Sequence, residues 1–146
     1  MSLQQWQDNG WLRRHEPTRG EIEDLLAVVD RDLEDSAAEG LSPDWRLNIA
    51  YNAALQAATA ALVASGYRVR RGESHHYRAI QSLRHTIGAD PDLVAQLDAF
   101  RKKRNQMSYE RAGVVSEQEA EEMVALARDI RNRVRGWLEE EHGELW

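Results

Sequence analysis

The 146-residue chain has no cysteine. Disulfides, thiol nucleophiles and cysteine-zinc sites are therefore excluded. It also lacks any run near the roughly 18 consecutive apolar residues of a membrane span, so no membrane partner is expected. Met1-Ser2-Leu3-Gln4-Gln5-Trp6-Gln7-Asp8 is too polar to read as a signal peptide, and a cytoplasmic location is expected. Neither Gly-x-Gly-x-x-Gly nor Gly-Lys-Ser/Thr occurs, so the common phosphate-cradling loops are missing. No nucleophile elbow marks a Ser-His-Asp triad. Strand signals are nearly absent: Tyr67-Arg68-Val69-Arg70 alternates but has no partner.

What is present is charge, unevenly spread. The formal net charge is −6, which at first sight disfavours nucleic acid. Yet between Gly66 and Arg111 ten basic residues face five acids, a net +5 that leaves −11 for the remainder. Such asymmetry marks either a site for an anionic partner or two helical faces that attract each other.

Helix punctuation is clear along the chain. Thr18-Arg19-Gly20-Glu21 reads as a capping box, with Ile22, Leu25, Leu26, Val29 and Leu33 on one face and Gly40 as the stop. Ser42-Pro43 starts a second helix that should run to about Ser65, with Gly66 ending it. Its seven alanines between Ala50 and Ala61 allow neighbouring backbones to approach closely, which predicts a central helix buried on more than one side. Ser74 is the expected N-cap of a third helix carrying Ile80, Leu83 and Ile87, ended by Gly88. Asp90-Pro91 opens a fourth, and Ser116-Glu117-Gln118-Glu119 is a second capping box before a long apolar stripe to Leu138. The expected fold is an all-α, four- to five-helix up-and-down bundle over residues 18–140. Residues 1–17 read as an arm or short helix, and 141–146 as a frayed acidic terminus.

A metal centre finds little support. Glu73 with His76 and Glu139 with His142 have Glu-x-x-His spacing, but neither pair sits mid-helix on an apolar face, so neither metal nor other cofactor is expected. The informative segment is Phe100-Arg101-Lys102-Lys103-Arg104-Asn105-Gln106-Met107-Ser108-Tyr109-Glu110. Four consecutive cations in mid-helix must turn at least one inward, and Arg104 falls one turn below the core residue Phe100. An inward arginine needs pairing, solvent or an interface. Asn105 and Tyr109, a turn apart on a continuous helix, would extend a polar patch with Arg104, Ser108 and Arg101. Composition alone also allows a hydrogen-bonded cluster that merely closes the helix.

Arg104-Asn105-x-x-x-Tyr109, late in a long helix and followed by a capped final helix, resembles the HEPN domain (higher eukaryotes and prokaryotes nucleotide-binding). Asn48-Ile49-Ala50-Tyr51-Asn52-Ala53-Ala54, Ala64-Ser65-Gly66-Tyr67-Arg68-Val69 and Glu73-Ser74-His75-His76 are similar to further segments in the same order, so the resemblance spans roughly Glu21 to Leu138. It implies a helical bundle that forms homodimers. Many members are metal-independent RNA endonucleases carrying Arg-x(4–6)-His, and others pair with a minimal nucleotidyltransferase in toxin–antitoxin or two-gene modules. Arg104 matches the motif arginine and Asn105 the polar residue after it, but Tyr109 holds the histidine position. A phenol of pKa about 10 is a poor acid–base group near neutrality. The resemblance thus implies a binding or regulatory protein in which Arg104, Asn105, Tyr109 and Arg101 contact nucleotide or RNA. The alternative is a ribonuclease in which Tyr109, His75, His76 or His85 replaces the missing histidine. A third reading is an unrelated helical scaffold.

Overall fold

The alanine-rich segment dictates the architecture. A computed structural model of the chain describes residues 1–72, 74–107 and 112–146. In order along the chain it contains α1 (Leu3–Asp8), β1 (Leu12–Arg14), α2 (Arg19–Ser36), α3 (Pro43–Ala64), β2 (Tyr67–Val69), α4 (His75–Gln81), α5 (Pro91–Gln106) and α6 (Glu117–Glu141). Short 3-10 turns follow α4 at Ser82–Arg84 and α6 at Gly143–Leu145. The fold is an all-α bundle with one two-stranded ribbon.

Thirteen of the 22 residues of α3 are buried, too many for a single stripe, so its whole circumference is used. Small side chains let α2 and α6 pack closely along it, with α4 and α5 on its remaining side. Leu47, Ala50, Ala53, Ala57 and Ala61 of α3 are fully buried in one cluster with Ile22 and Val29 of α2 and Met123, Ile130 and Val134 of α6. This is also the one helix among the described residues with the length and mean hydropathy (1.2) to cross a membrane, but 72% of that window is buried within the bundle. Its apolarity is accounted for by the core.

Caps follow the sequence except at Glu21 and Ser74. Ser42 accepts from the Trp45 amide, Asp90 from the Leu93 amide, and Ser116 with Glu119 forms the reciprocal capping box. Ser2 and Gln5 form another. At α2, Thr18 accepts from the Glu21 amide, but the Glu21 carboxylate does not turn back to complete a box. It takes His15 Nε2 at 2.8 Å and Arg68 at 2.8 Å instead, because a guanidinium and a ring nitrogen together offer more than one backbone amide. Ser74 caps nothing with its side chain. The helix behind it gives way to a 3-10 turn at Ser82, where the buried Ser82 hydroxyl donates to the Ala79 carbonyl. α2 ends at Ser36, four residues before Gly40, which lies in the connecting turn.

Further expectations need correction. Tyr67–Val69 does have a partner: β1 pairs with it antiparallel, Leu12 opposite Val69 and Tyr67 opposite Arg14. The partner lies more than fifty residues away in a three-residue strand, too short for periodicity to show. Gly66, at φ +95°, turns the chain from α3 into β2, and its carbonyl accepts from the His15 amide at 2.9 Å. Trp6, Leu12, Leu62 and Tyr67 then form a second small core beneath the ribbon. The last residues, expected to fray, form a turn that buries Leu145 and seats Trp146 against the bundle, because apolar side chains outweigh the local acidity.

Candidate functional site

Three residues of α3, spaced three apart, run from the surface inward: Trp45 (56% exposed), Asn48 (partly buried) and Tyr51 (1% exposed). Spacing of three on a helix places them along one diagonal. Arg104, in the last turn of α5, crosses this diagonal. Its Nε donates to Asn48 Oδ1 at 3.1 Å, and its guanidinium carbon lies 5.6 Å from the Tyr51 ring centroid. The Tyr51 hydroxyl in turn sits 3.3 Å from Nδ1 of His76 on α4. Three helices therefore meet around Tyr51, with Arg104 on one side of it and His76 on the other.

Arg104 opens onto a cleft of about 560 Å³ that Trp45, Asn48, Asn105, Met107 and Pro43 also line. Asp44 fastens its rim: Oδ2 accepts from the Gly113 amide and Oδ1 from the Val115 amide, each at 3.0 Å.

Charge pairing singles out one cation of the basic run. Arg101 donates to Asp98 at 2.7 Å, Lys102 lies 3.7 Å from Asp98, and Lys103 lies 3.4 Å from Glu119. Among the described residues Arg104 has no carboxylate partner; its anchor is the neutral Asn48 amide, and its two terminal amino groups have no partner there. Burial pushes the Tyr51 hydroxyl up to about 12, so it stays protonated and acts as a hydrogen-bonding group, not a base. Burial, followed by the nearby Arg104, His75 and Arg101 charges, holds His76 below the ordinary histidine range. A neutral imidazole thus sits near a guanidinium that no carboxylate among the described residues compensates.

Of the expected site residues, Arg104 and Asn105 share the cleft, whereas Arg101 is committed to Asp98 and packs over Tyr77 at 5.4 Å. The cations are not mid-helix: α5 ends at Gln106 with Met107 extended, so no helix carries Asn105 through to position 109. The basic last turn suits the negative end of the helix dipole. Tyr109 and Ser108, like Glu73 of the Glu73/His76 spacing, lie outside the described residues. His75 is exposed and contacts His76 edge-on, while His85 packs edge-on against Trp6 in the N-terminal core. His142 lies 3.6 Å from Glu144 and stacks near Trp137. Sequence reasoning missed Trp45, Asn48 and Tyr51 as site residues. The signal was there as three large or polar side chains at regular spacing in the N-terminal half of an alanine-rich helix.

The HEPN domain family model matches residues 23–137, and the chain belongs to that family. This range holds α3, α4 and α5, hence Asn48, Tyr51, His76 and Arg104 together. No curated protein and no solved structure matches the chain.

Proposed function

We propose that this chain is a HEPN-fold binding or regulatory protein whose Arg104 cleft holds the phosphate of a nucleotide or of RNA. The observation that carries the reading is the Arg104 charge, which no carboxylate among the described residues balances and which Asn48 holds in position, while Arg101, Lys102 and Lys103 each have a carboxylate. A pre-positioned guanidinium whose amino groups have no partner among the described residues suits a phosphate oxygen pair. Asn105 and Tyr109 supply further hydrogen bonds in this reading, and Arg101 contributes field more than contact. The role is binding, because the phenol of Tyr109 stands where ribonuclease members carry histidine. The test is affinity for single-stranded RNA and for ATP over a salt series. Binding that weakens linearly in log[salt] supports the proposal, and absence of binding at low salt refutes it.

Family membership supports two further elements of the proposal: a cytoplasmic homodimer, and a minimal nucleotidyltransferase partner in a toxin–antitoxin-type module. Light scattering at micromolar concentration tests the first, and co-purification with the product of an adjacent nucleotidyltransferase gene tests the second. A monomeric mass, or failure to co-purify, removes the corresponding element.

A second reading is favoured by His76 lying near Arg104 through Tyr51. As a metal-independent ribonuclease, the protein would use a His76 whose Nδ1–H donates to the Tyr51 oxygen, leaving Nε2 to take the 2′-hydroxyl proton. That oxygen attacks phosphorus to form a 2′,3′-cyclic phosphate as the P–O5′ bond breaks, and the leaving 5′-oxygen takes its proton from water. RNA cleavage in EDTA that disappears in both Arg104→Ala and His76→Ala would establish it. An intact substrate with wild-type protein would eliminate it.

A further inference from the structure

Five tryptophans occur in the chain, and four have aromatic or cationic partners. Trp6 is buried and meets Trp11 at 5.8 Å; Trp11 carries the Arg78 guanidinium at 3.6 Å. Trp137 stacks near His142 at 4.7 Å, and Trp146 carries Arg135 at 5.2 Å. Trp45 alone has no such partner among the described residues, and at 56% it is more exposed than any other large aromatic described. An indole left this open loses apolar burial, on the order of 25 cal/mol per Å² left in water. Its position is fixed all the same. It sits in the first turn of α3, where its amide donates to Ser42 Oγ at 3.2 Å, and the neighbouring Asp44 ties that turn to Gly113 and Val115.

Trp45 stands one helical turn from Asn48, the residue that holds Arg104, and all three line the same cleft. A flat apolar surface and a guanidinium with no carboxylate partner among the described residues therefore line the same cleft. Asn48 links them, one turn from Trp45 on α3 and hydrogen-bonded to Arg104 of α5, so a base on the indole would have its phosphate within the same cleft as the guanidinium. We infer that Trp45 is a stacking platform for one unpaired base of single-stranded RNA, with the phosphate of that nucleotide on Arg104. The inference rests on the phosphate-binding reading above and adds the base. A duplex is disfavoured because its bases already stack on one another and offer no free face to the indole. Charge complementarity argues against a second copy of the chain as the occupant. Covering Trp45 with a copy would also cover Arg104, and a buried cation needs an anion in register. The RNA strand brings that anion with the base.

The test uses the full chain and a fluorescein-labelled oligoadenylate at low salt, read by anisotropy, with the same strand annealed to its complement as a second probe. Stacking is worth about 1–3 kcal/mol per base, so Trp45→Ala should weaken single-strand binding between about five- and a hundred-fold. Trp45→Phe should retain most of the affinity, and duplex binding should stay at its weaker level in every variant. RNA should also quench wild-type tryptophan fluorescence more than that of Trp45→Phe. Competition by AMP as strong as by the strand would make the ligand a free nucleotide and overturn the strand assignment. If Trp45→Ala binds like wild type while Arg104→Ala does not, the platform is wrong and the phosphate reading survives. If Trp45→Ala lowers the oligomeric mass without changing RNA affinity, the indole belongs to an interface and the inference falls. If wild type binds neither RNA nor AMP, both readings fall together.

Discussion

Removing the Asp44 side chain should loosen the cleft rim by a measurable amount. Its two carboxylate oxygens accept from the Gly113 and Val115 amides at 3.0 Å, joining the start of α3 to the segment before α6. Hydrogen bonds to a charged group contribute about 1.5–3 kcal/mol each, but this carboxylate is partly exposed and the freed amides reach water, so about 1 kcal/mol each is the better figure. A carboxylate in the first turn of a helix adds about 0.5 kcal/mol through the dipole. Asp44→Ala should then cost about 2.5 kcal/mol. At roughly 2–4 °C per kcal/mol for a domain near this size, Tm should fall by about 5–10 °C. Asp44→Asn keeps one acceptor oxygen and loses the charge, so it should fall between wild type and Asp44→Ala. Thermal melts followed by circular dichroism, with urea midpoints at constant slope, measure both. An unchanged Tm in Asp44→Ala would show that these two bonds do not hold the rim.

Other consequences are equally direct. Leu12→Ala should cost about 2–4 kcal/mol, read from urea midpoints, because Leu12 is fully buried beneath the ribbon with Trp6, Leu62 and Tyr67. The Glu21 carboxylate, against the opposing cost of burial, is held below the usual range by Arg68 and His15. Its stabilising contribution is therefore present above about pH 4.5 and is lost as pH falls towards the lowered folded value; Glu21→Gln should flatten this acid limb in stability measured against pH. His76 is likewise depressed, chiefly by burial. It should stay neutral in NMR titration below its ordinary pKa near 6.5, with stability drawn from it declining as pH falls from there to the folded pKa; Arg104→Ala should move the midpoint upward, and an unmoved midpoint would argue against their coupling.

Much of this bundle is legible in the sequence because its signals are local. Ser42-Pro43, Asp90-Pro91 and Ser116 with Glu119 fix helix starts through hydrogen bonds three residues long, and the alanines of α3 announce close packing by their size. Long-range choices leave no such trace. Glu21 has the spacing of a capping box, yet Arg68, 47 residues away, takes its carboxylate. The ribbon of Leu12–Arg14 with Tyr67–Val69 joins segments with three residues each, below the length at which alternation is informative. At the candidate site, Arg104 stands out as a cation on the core side of α5. Its partners Asn48 and Tyr51 come from α3 and His76, hydrogen-bonded to Tyr51, from α4, and only the packing of α4 and α5 against α3 brings them together. Arg101 illustrates the converse: four cations look equivalent in sequence, and Asp98, one turn earlier, removes this one from the count.

The central claim is that Arg104 is the anion-binding group of the cleft. Its most direct test is the affinity of wild type and Arg104→Ala for the same single-stranded RNA across a salt series, with circular dichroism confirming that both are folded. The account predicts binding at least tenfold weaker in the variant, the order of 1.4 kcal/mol or more for a charge-assisted pair, and a salt slope smaller by about one phosphate contact. Equal affinity and equal slope in a folded Arg104→Ala would contradict it.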